Sequence, residues 1–291
     1  MTYKRILLSA LIAITLFAFK SDKPAYNIFN IKSKVVKYNT LLESASKVDV
    51  VFFGELHDNP IAHWLQFDLT KDLYDLRNGK MVLGAEMLEA DNQLILNDYL
   101  IDTINADTLK KRARLWPNFK TDYKPLVDFA KEKQIPFIAT NIPRKYASQV
   151  YKKGIESLDS LDNSVKAWMV PLPMEYDGEV ACYKNIMAMM GPDAAGHMNE
   201  NLPKAQAIKD ATMAWFIQKN FVKGSIFVHY NGSGHSDNFE GIIWYLKRYR
   251  PELTILTITT VEQDDVFKLS TETKGVADFT IAIPTTMTKT Y

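Results

Sequence analysis

The sequence predicts an α/β fold, in which a parallel or mixed sheet carries helices on both faces and a small all-helical insertion. Short, unbroken apolar runs rich in Val, Ile and Phe alternate with stretches of helical periodicity, and strands buried on both faces of a parallel sheet have this unbroken character. From about residue 145 to 222 the helical patterning continues without a convincing strand. We therefore expect one domain over residues 26–291, with the helical insertion at about 145–222.

Six apolar runs are predicted to be strands, and the segment after the first of them reads as a helix. The runs cover residues 48–54, 81–87, 135–141, 225–230, 253–260 and 279–283. Asn59 and Pro60 are suited to the N-cap and first position of a helix, and leucines follow at helical spacing. Asn78-Gly79 is typical of a helix end. This is the strand–helix–strand unit from which doubly wound sheets are built.

Residues 1–20 have the layout of a secretory signal peptide. Lys4 and Arg5 precede an apolar run over residues 6–19, and the chain turns polar at Lys20. This run is too short to span a bilayer comfortably, and its basic flank is typical of export signals. We expect an exported protein that is periplasmic or associated with the outer membrane.

The composition excludes several classes of protein. Lys and Arg number 35 against 34 Asp and Glu, a net charge of +1, so the chain lacks the basic surface that nucleic-acid binding requires. The single cysteine, Cys182, excludes an intramolecular disulfide framework and any multi-cysteine metal site. The sequence contains no HExxH, GxxxxGK[ST], GxSxG or GxGxxG motif. Nucleic acid is not expected as a partner, and conventional NTPases, zincins and α/β-hydrolases are disfavoured.

Chemically versatile side chains follow four predicted strands. Glu55 and His57 belong to a Gly-x-x-His motif after the first strand, Glu86 ends the second, Arg144 follows the third, and His235 ends a second Gly-x-x-His motif after the fourth. The carboxyl ends of parallel strands meet at one edge of a sheet, where ligands bind in open α/β folds. We expect these five side chains to converge there.

This set of residues leaves two kinds of chemistry open. Carboxylate and imidazole groups suit a divalent metal, held by Glu55, His57, Glu86 and His235, and the same four residues would then be catalytic in a metal-dependent hydrolase. Alternatively, Arg144 and the helix N-termini bind an anionic ligand. The sequence does not decide between an enzyme and a binding protein.

Several segments, in order, are similar to those of the ChaN-like haem-binding proteins, in the Tiki/TraB/EreA-like superfamily. The segments are Gly54-Glu55-Leu56-His57-Asp58-Asn59-Pro60 with His63, Gly84-Ala85-Glu86-Met87-Leu88, Trp116-Pro117 with Tyr123 and Pro125, Asn141-Ile142-Pro143-Arg144, Ala205-Gln206 with Asp210 and Met213-Ala214, and Asn231-Gly232-Ser233-Gly234-His235. They extend from about residue 48 to 246.

The resemblance implies an exported protein that binds haem between the two subunits of a homodimer and takes part in iron uptake. Members of this family are often lipoproteins, but the signal region here has no lipobox cysteine, which makes membrane anchoring doubtful. More distant superfamily members are metal-dependent proteases that use the two Gly-x-x-His motifs and a glutamate, which keeps a Tiki-like peptidase or esterase as the alternative.

Candidate haem contacts follow from the same resemblance. His63 and Tyr123 lead as ligands of the haem iron, and Lys120 and Lys124 are expected to lower the pKa of the Tyr123 phenol. Arg144 is expected on the propionates, and Gln206 and Met190 complete the predicted cofactor site.

Overall fold

One eight-stranded sheet organises the fold in a computed structural model, which describes residues 23–186 and 199–291. The strands are β1 (Asn27–Asn30), β2 (Val35–Val36), β3 (Val50–Glu55), β4 (Met81–Glu89), β5 (Phe137–Asn141), β6 (Ile226–Gly232), β7 (Ile255–Gln263) and β8 (Phe279–Pro284). Their spatial order is β2-β1-β8-β7-β3-β6-β4-β5. From β8 to β5 neighbouring strands run parallel, whereas β1 is antiparallel to both β2 and β8. The sheet is therefore mixed, as the sequence predicts.

Helices connect most of the parallel strands. They are α1 (Tyr38–Ala45), α2 (Pro60–Leu76), α3 (Gln93–Leu100), α4 (Ala106–Arg112), α5 (Lys124–Lys133), α6 (Arg144–Lys153), α7 (Asn163–Lys166), α8 (Ala181–Lys184), α9 (Leu202–Asn220) and α10 (Ile242–Tyr249). Short 3₁₀ turns cover Ala90–Asn92, Ile155–Leu158, Ser233–His235, Asp237–Phe239 and Thr271–Thr273, and a π-helical turn covers Phe119–Tyr123.

The start and end of α2 illustrate how local sequence sets the elements. The Asn59 side chain accepts hydrogen bonds from the backbone N–H groups of Ile61 and Ala62, at 3.0 and 3.3 Å, as an N-cap should. Beyond the last turn, Asn78 and Gly79 adopt φ angles of 49° and 76°, which are left-handed values that end a helix. The sequence predicted both ends of this helix.

Apolar side chains cover both faces of the sheet. One core contains Leu65 and Leu69 of α2 with Val127 of α5, packed against one face. The other core contains Tyr146 of α6, Ile208 of α9 and Ile243 of α10, packed against alternate residues of the same strands. The predicted strands and the two helical layers thus form a three-layer α/β architecture.

The segment predicted as a helical insertion contributes to one of these layers. Within its described residues, 145–186 and 199–222, there is no strand, and both α6 and α9 pack in the second core. Both helices lie in the connection between β5 and β6, and the bounds of the insertion stay a prediction. The methionine-rich stretch, including Met190, lies outside the described residues, as does the predicted signal peptide at residues 1–20.

The sheet order determines which strand ends meet. Strand β6 lies between β3 and β4, and Glu55 of β3 is directly opposite Gly232 of β6. The loops after β3 and β6 and the end of β4 therefore share one carboxyl edge. Across the described part of the chain, none of the helices combines the length and the apolar character needed to cross a membrane.

Candidate functional site

The carboxyl edge of β3, β4 and β6 brings Glu55, His57, Glu86 and His235 together. Glu86 makes the connection between two strands, because its Oε2 accepts a hydrogen bond from the Gly232 N–H at 2.8 Å. Its Oε1 lies 3.1 Å from Nε2 of His235. The adjacency of the three strands thus creates a buried polar cluster at the position where α/β folds bind ligands.

Glu55 fixes the orientation of His57. The Glu55 side chain is 1% exposed, and its Oε1 accepts hydrogen bonds from Nδ1 of His57 at 2.9 Å and from the Tyr123 hydroxyl at 2.6 Å. Its Oε2 accepts from Nε2 of Gln66 at 2.5 Å. A buried carboxylate needs such donors, and this set holds the His57 ring in one orientation.

His235 lies between two carboxylates. Its Nδ1 contacts Asp210, which also accepts a hydrogen bond from the Tyr183 hydroxyl at 2.7 Å, and its Nε2 contacts Glu86. Burial alone would favour the neutral ring, but the charges of Glu86 and Asp210 outweigh it and raise the pKa of His235 to about 10. His235 is therefore an imidazolium at neutral pH.

The other groups of the cluster respond to the same charges. Burial opposes ionisation of Glu86, but the positive charge of His235 and its hydrogen bond hold the pKa of this carboxyl well below its usual range. Burial likewise opposes protonation of His57, but the hydrogen bond to Glu55 and the charge of Glu86 raise the pKa of His57. The site is an alternating array of carboxylates and imidazoles.

The divalent metal predicted at Glu55, His57, Glu86 and His235 is not supported. Nδ1 of His57 and both ring nitrogens of His235 contact carboxylates and not a shared central position. Within residues 23–186 and 199–291, no group of three or more His, Cys, Asp or Glu side chains is arranged to hold a metal ion. These contacts give the metal-dependent hydrolase no support over haem binding.

His63 and Tyr123, predicted as iron ligands, are buried behind the cluster. They are 6% and 2% exposed. Nε2 of His63 lies 3.1 Å from the carbonyl oxygen of His57, and Nδ1 lies 3.3 Å from Oε1 of Gln66. Both ring nitrogens of His63 and the Tyr123 hydroxyl are therefore already engaged.

The expectation that neighbouring lysines activate Tyr123 is wrong. Burial, followed by the nearby charge of Glu55, raises the pKa of the Tyr123 phenol. Lys124 forms an ion pair with Asp128 at 2.5 Å, and Lys120 is exposed. The phenol thus serves as a hydrogen-bond donor to a carboxylate, which favours its neutral form.

The remaining predicted residues occupy different positions around the cluster. Nε2 of Gln206 lies 3.1 and 3.0 Å from the two ring nitrogens of His235. This atom must contact the face of the ring, because Cε1 occupies the in-plane position between the nitrogens. Arg144 begins α6, is exposed and lines a cavity beside the cluster, whereas Glu86 is paired with His235.

A cavity of about 720 Å³ opens beside the cluster. His57, Glu86 and His235 form part of its wall, and the remainder is mostly apolar or cationic. The remaining lining residues are Glu89, Arg114, Leu115, Trp116, Pro117, Asn141, Ile142, Arg144, Ala147, Ser148, Tyr151, Leu202, Ala205, Lys209 and Tyr291. A second cavity, of about 500 Å³, shares His57, His235 and Tyr291 with the first. The polar cluster thus lies where two cavities meet.

Sequence reasoning missed the role of Asp210. It lies one helical turn after Gln206 on α9, and both side chains reach His235. The signal was the i, i+4 spacing, which places a buried carboxylate on the same helix face as a predicted site residue. Tyr291 was also missed, because the chain after Val261 carries none of the recognised motifs.

Comparisons with known proteins agree with this architecture. The family model described as "Haem-binding uptake, Tiki superfamily, ChaN" matches residues 41–246. No protein with a curated description matches the chain significantly.

Among solved structures, ChaN of Campylobacter jejuni, described as binding haem cofacially, aligns with a TM-score of 0.66 at 17% identity. The alignment covers 88% of this chain and 96% of that one. A Bacillus cereus protein aligns with a TM-score of 0.51 at 12% identity, covering 89% and 95% of the two chains. At these identities the structures indicate a shared fold, whereas the family model covers most of the chain, so this protein belongs to the ChaN family of the Tiki superfamily.

Proposed function

We propose that this protein binds haem in the cavity of about 720 Å³, and that it is an exported protein of haem or iron acquisition. The observation that carries the proposal is a cavity with an apolar wall and a cationic rim at the carboxyl edge of the sheet, in a member of a haem-binding family. The size of the cavity falls within the range typical of ligand pockets, about 300–1,000 Å³.

The apolar wall suits a porphyrin face. Trp116, Ile142 and Leu202 line the cavity from three different segments. Trp116 packs edge to face against His57, with ring centroids 4.8 Å apart, so its indole is held in place. A flat aromatic ligand gains most of its binding free energy from contacts of this kind.

The cationic rim suits the two haem propionates. Arg114, Arg144 and Lys209 line the same cavity. Arg114 is 3.5 Å from Glu89, whereas Arg144 and Lys209 form no ion pair with any residue in the described part of the chain. Arginine and lysine side chains without a protein partner are available to carboxylates of a ligand, to which they form charge-assisted hydrogen bonds.

His57 is the ligand that the cavity offers to the haem iron. Unlike His63 and Tyr123, it lines the cavity and is partly exposed. Its Nδ1 is held by Glu55, and its Nε2 has no hydrogen-bond partner among the described residues. A carboxylate on the distal nitrogen orients a ligating imidazole and increases its basicity.

A haemin titration tests this function. We expect a saturable Soret change in wild-type protein, an altered spectrum in His57→Ala, and binding at least about tenfold weaker in Arg144→Glu, which removes one charge-assisted contact and adds repulsion of a propionate. Lys145→Glu is the matched control, because Lys145 is exposed next to Arg144 but does not line the cavity. A wild-type titration without a saturable Soret change would reject the proposal.

The proposed partner and location need separate measurements. A homodimer that encloses haem predicts that the sedimentation coefficient increases when haemin is added. Export predicts that the protein in its native cells is found outside the cytoplasm and has lost residues 1 to about 20. Cell fractionation and N-terminal sequencing check both expectations.

A further inference from the structure

The segment after β8 folds back over the candidate site. This tail (residues 285–291) lies outside residues 41–246, where the family model matches. Thr285 bonds Asp264 beyond β7, and the tail then reaches the loop after β3, where the Thr290 N–H donates to the Asp58 carbonyl oxygen at 2.8 Å. It therefore crosses the carboxyl edge from β8 over β7 to β3.

Lys289 fastens the tail on the loop that carries His57. Its ammonium group lies 3.3 Å from Oδ1 of Asp58 and also contacts Glu262 of β7. Glu262 accepts a second hydrogen bond, at 2.9 Å, from Nδ2 of Asn59, which is the N-cap of α2. Through these ion pairs, Lys289 connects the tail to the end of β7 and to the loop after β3 that carries His57.

The fastened tail places Tyr291 at the junction of the two cavities. Tyr291 lines both of them, together with His57 and His235, although 67% of the residue is exposed. A residue that is largely exposed and also lines two adjoining cavities lies at their opening. Its ring therefore narrows the path between solvent and the polar cluster.

We propose that the tail is a strap over the mouth of the site, with Lys289 as its latch and Tyr291 as the residue that shelters His57. This inference rests on the proposed function for its ligand, which is haem. With the latch closed, haem leaves slowly, and the strap must move before the ligand can exchange. Opening the latch breaks ion pairs between partly exposed side chains, which are weak, so Lys289 and Tyr291 can move without unfolding the domain.

Haem release measures the strap directly. Haem-loaded Lys289→Gln and Tyr291→Ala are mixed with excess apomyoglobin, and transfer is followed in the Soret band. We expect release about fivefold faster than in wild type for each variant, with an unchanged Soret maximum, since loss of surface contacts acts mainly on dissociation rates. Lys223→Gln is the matched control, because Lys223 is exposed at the opposite, amino edge of the sheet.

Chemical modification of the haem-free protein gives a second readout. Diethylpyrocarbonate labelling of His57, quantified by peptide mass spectrometry, should be faster in both strap variants than in Lys223→Gln, while circular dichroism melting confirms that all variants are folded. Unchanged labelling and release would overturn the strap. Faster labelling with unchanged release would overturn its control of haem exchange. If wild-type protein bound no haem, the proposed function would fail, and the labelling would still test whether the tail shelters His57.

Discussion

Asp210 is one of the two carboxylates, with Glu86, that keep the buried His235 protonated. It is almost completely buried and receives donors from both His235 and Tyr183. Without it, Glu86 would be the one carboxylate left in contact with the ring. A buried imidazolium that loses one of two carboxylates retains its desolvation penalty while losing much of the compensating attraction.

Replacing Asp210 with Asn should therefore destabilise the protein strongly. We expect a loss of about 3 kcal/mol in the free energy of unfolding, the typical cost of breaking a buried ion pair from one side. Urea denaturation at neutral pH measures it. Asp159→Asn, at an exposed carboxylate, should change stability by less than about 0.5 kcal/mol. Equal stability of Asp210→Asn and wild type would mean that the contact between Asp210 and His235 does not stabilise the fold.

The buried ion pair between His235 and Glu86 predicts how the free energy of unfolding depends on pH. The pKa of His235 is raised from 6.5 to about 10 on folding, so its contribution is fully present below the unfolded value and is lost as pH rises through the folded one. The pKa of Glu86 is lowered, so its contribution is present above the unfolded value and is lost as pH falls.

Wild-type protein should consequently lose stability between about pH 7 and pH 9, while His235→Gln should show a flatter profile over that interval. Urea denaturation series at several pH values provide the comparison. Parallel profiles for the two proteins would contradict the assignment of a protonated His235.

The His57 ring fits beside Gly232 because this residue has no side chain. A Cβ at this position would lie 2.8 Å from Nε2 and 2.9 Å from Cε1 of His57, closer than real Cβ contacts. Gly232→Ala should displace the imidazole and weaken haem binding by about tenfold, an overpacking cost of about 1–2 kcal/mol. Gly234→Ala is the matched control, because a Cβ there meets nothing within 4 Å. Haemin titrations of the two variants make the comparison. Equal affinities would show that the position of His57 does not affect haem binding.

At the scale of elements, sequence patterns predicted the parts of the fold that local chemistry determines. The six long apolar runs became the parallel strands, and Asn59 caps α2 as its side chain suggested. Strands β1 and β2 were not predicted, because strands of four and two residues carry too little periodicity to be recognised. Helix α10 begins at Ile242, because Asn238 and Phe239 just before it adopt positive φ angles, which a helix does not allow.

The sequence predicted the part of the candidate site that the strand ends determine, but not the part that helix packing determines. Strand ends that carry Glu55, Glu86 and His235 had to converge once the sheet was parallel. The direction in which a helical side chain points is a tertiary property, and so His63 and Tyr123 could not be distinguished from ligand-facing residues by sequence. The contact between Asp210 and His235 likewise depends on how α9 packs on the sheet.

One side chain forms hydrogen bonds with backbone groups on the unpaired edge of β5. Strand β5 ends the sheet, and Gln93 of α3 takes the place of the next strand. Its Oε1 accepts from the Ala139 N–H at 2.7 Å, and its Nε2 donates to the Phe137 carbonyl oxygen at 3.0 Å. Unpaired backbone groups on an edge strand are a template for aggregation, and this amide pairs with two of them.

Gln93→Ala should lower the free energy of unfolding by about 1–3 kcal/mol, because both edge groups lose their partner. Gln93→Glu retains the acceptor for Ala139 but places a carboxylate oxygen against the Phe137 carbonyl oxygen, so it should be destabilised as well. Leu94→Ala, at a neighbouring position that is 80% exposed, controls for changes to α3 itself. Urea denaturation together with light scattering during refolding would detect both effects. A Gln93→Ala protein as stable as Leu94→Ala would show that solvent satisfies this edge equally well.

At the scale of the whole molecule, the site depends on three layers at once. Strands β3, β4 and β6 supply the polar cluster, α9 supplies Asp210 and Gln206, and the loop before α5 supplies Trp116. The cavity wall thus combines residues that are distant in sequence, so a ligand held there joins all three layers. Ligand binding should therefore appear as stabilisation of the entire domain rather than of one segment.

Haem should accordingly raise the free energy of unfolding by about 2.7 kcal/mol when its free concentration is one hundred times the Kd. The melting temperature should rise with it. Iron-free protoporphyrin IX separates the sources of this effect, since it retains the apolar ring and both propionates but cannot accept an axial ligand. We expect haemin to stabilise wild type more than protoporphyrin IX does, and we expect the two to be equivalent in His57→Ala, where only the wall and the cationic rim remain. Differential scanning fluorimetry at matched ligand concentrations makes the comparison. Equal stabilisation of wild type by both ligands would exclude His57 as an iron ligand, while stabilisation by neither would exclude the cavity itself as the haem site.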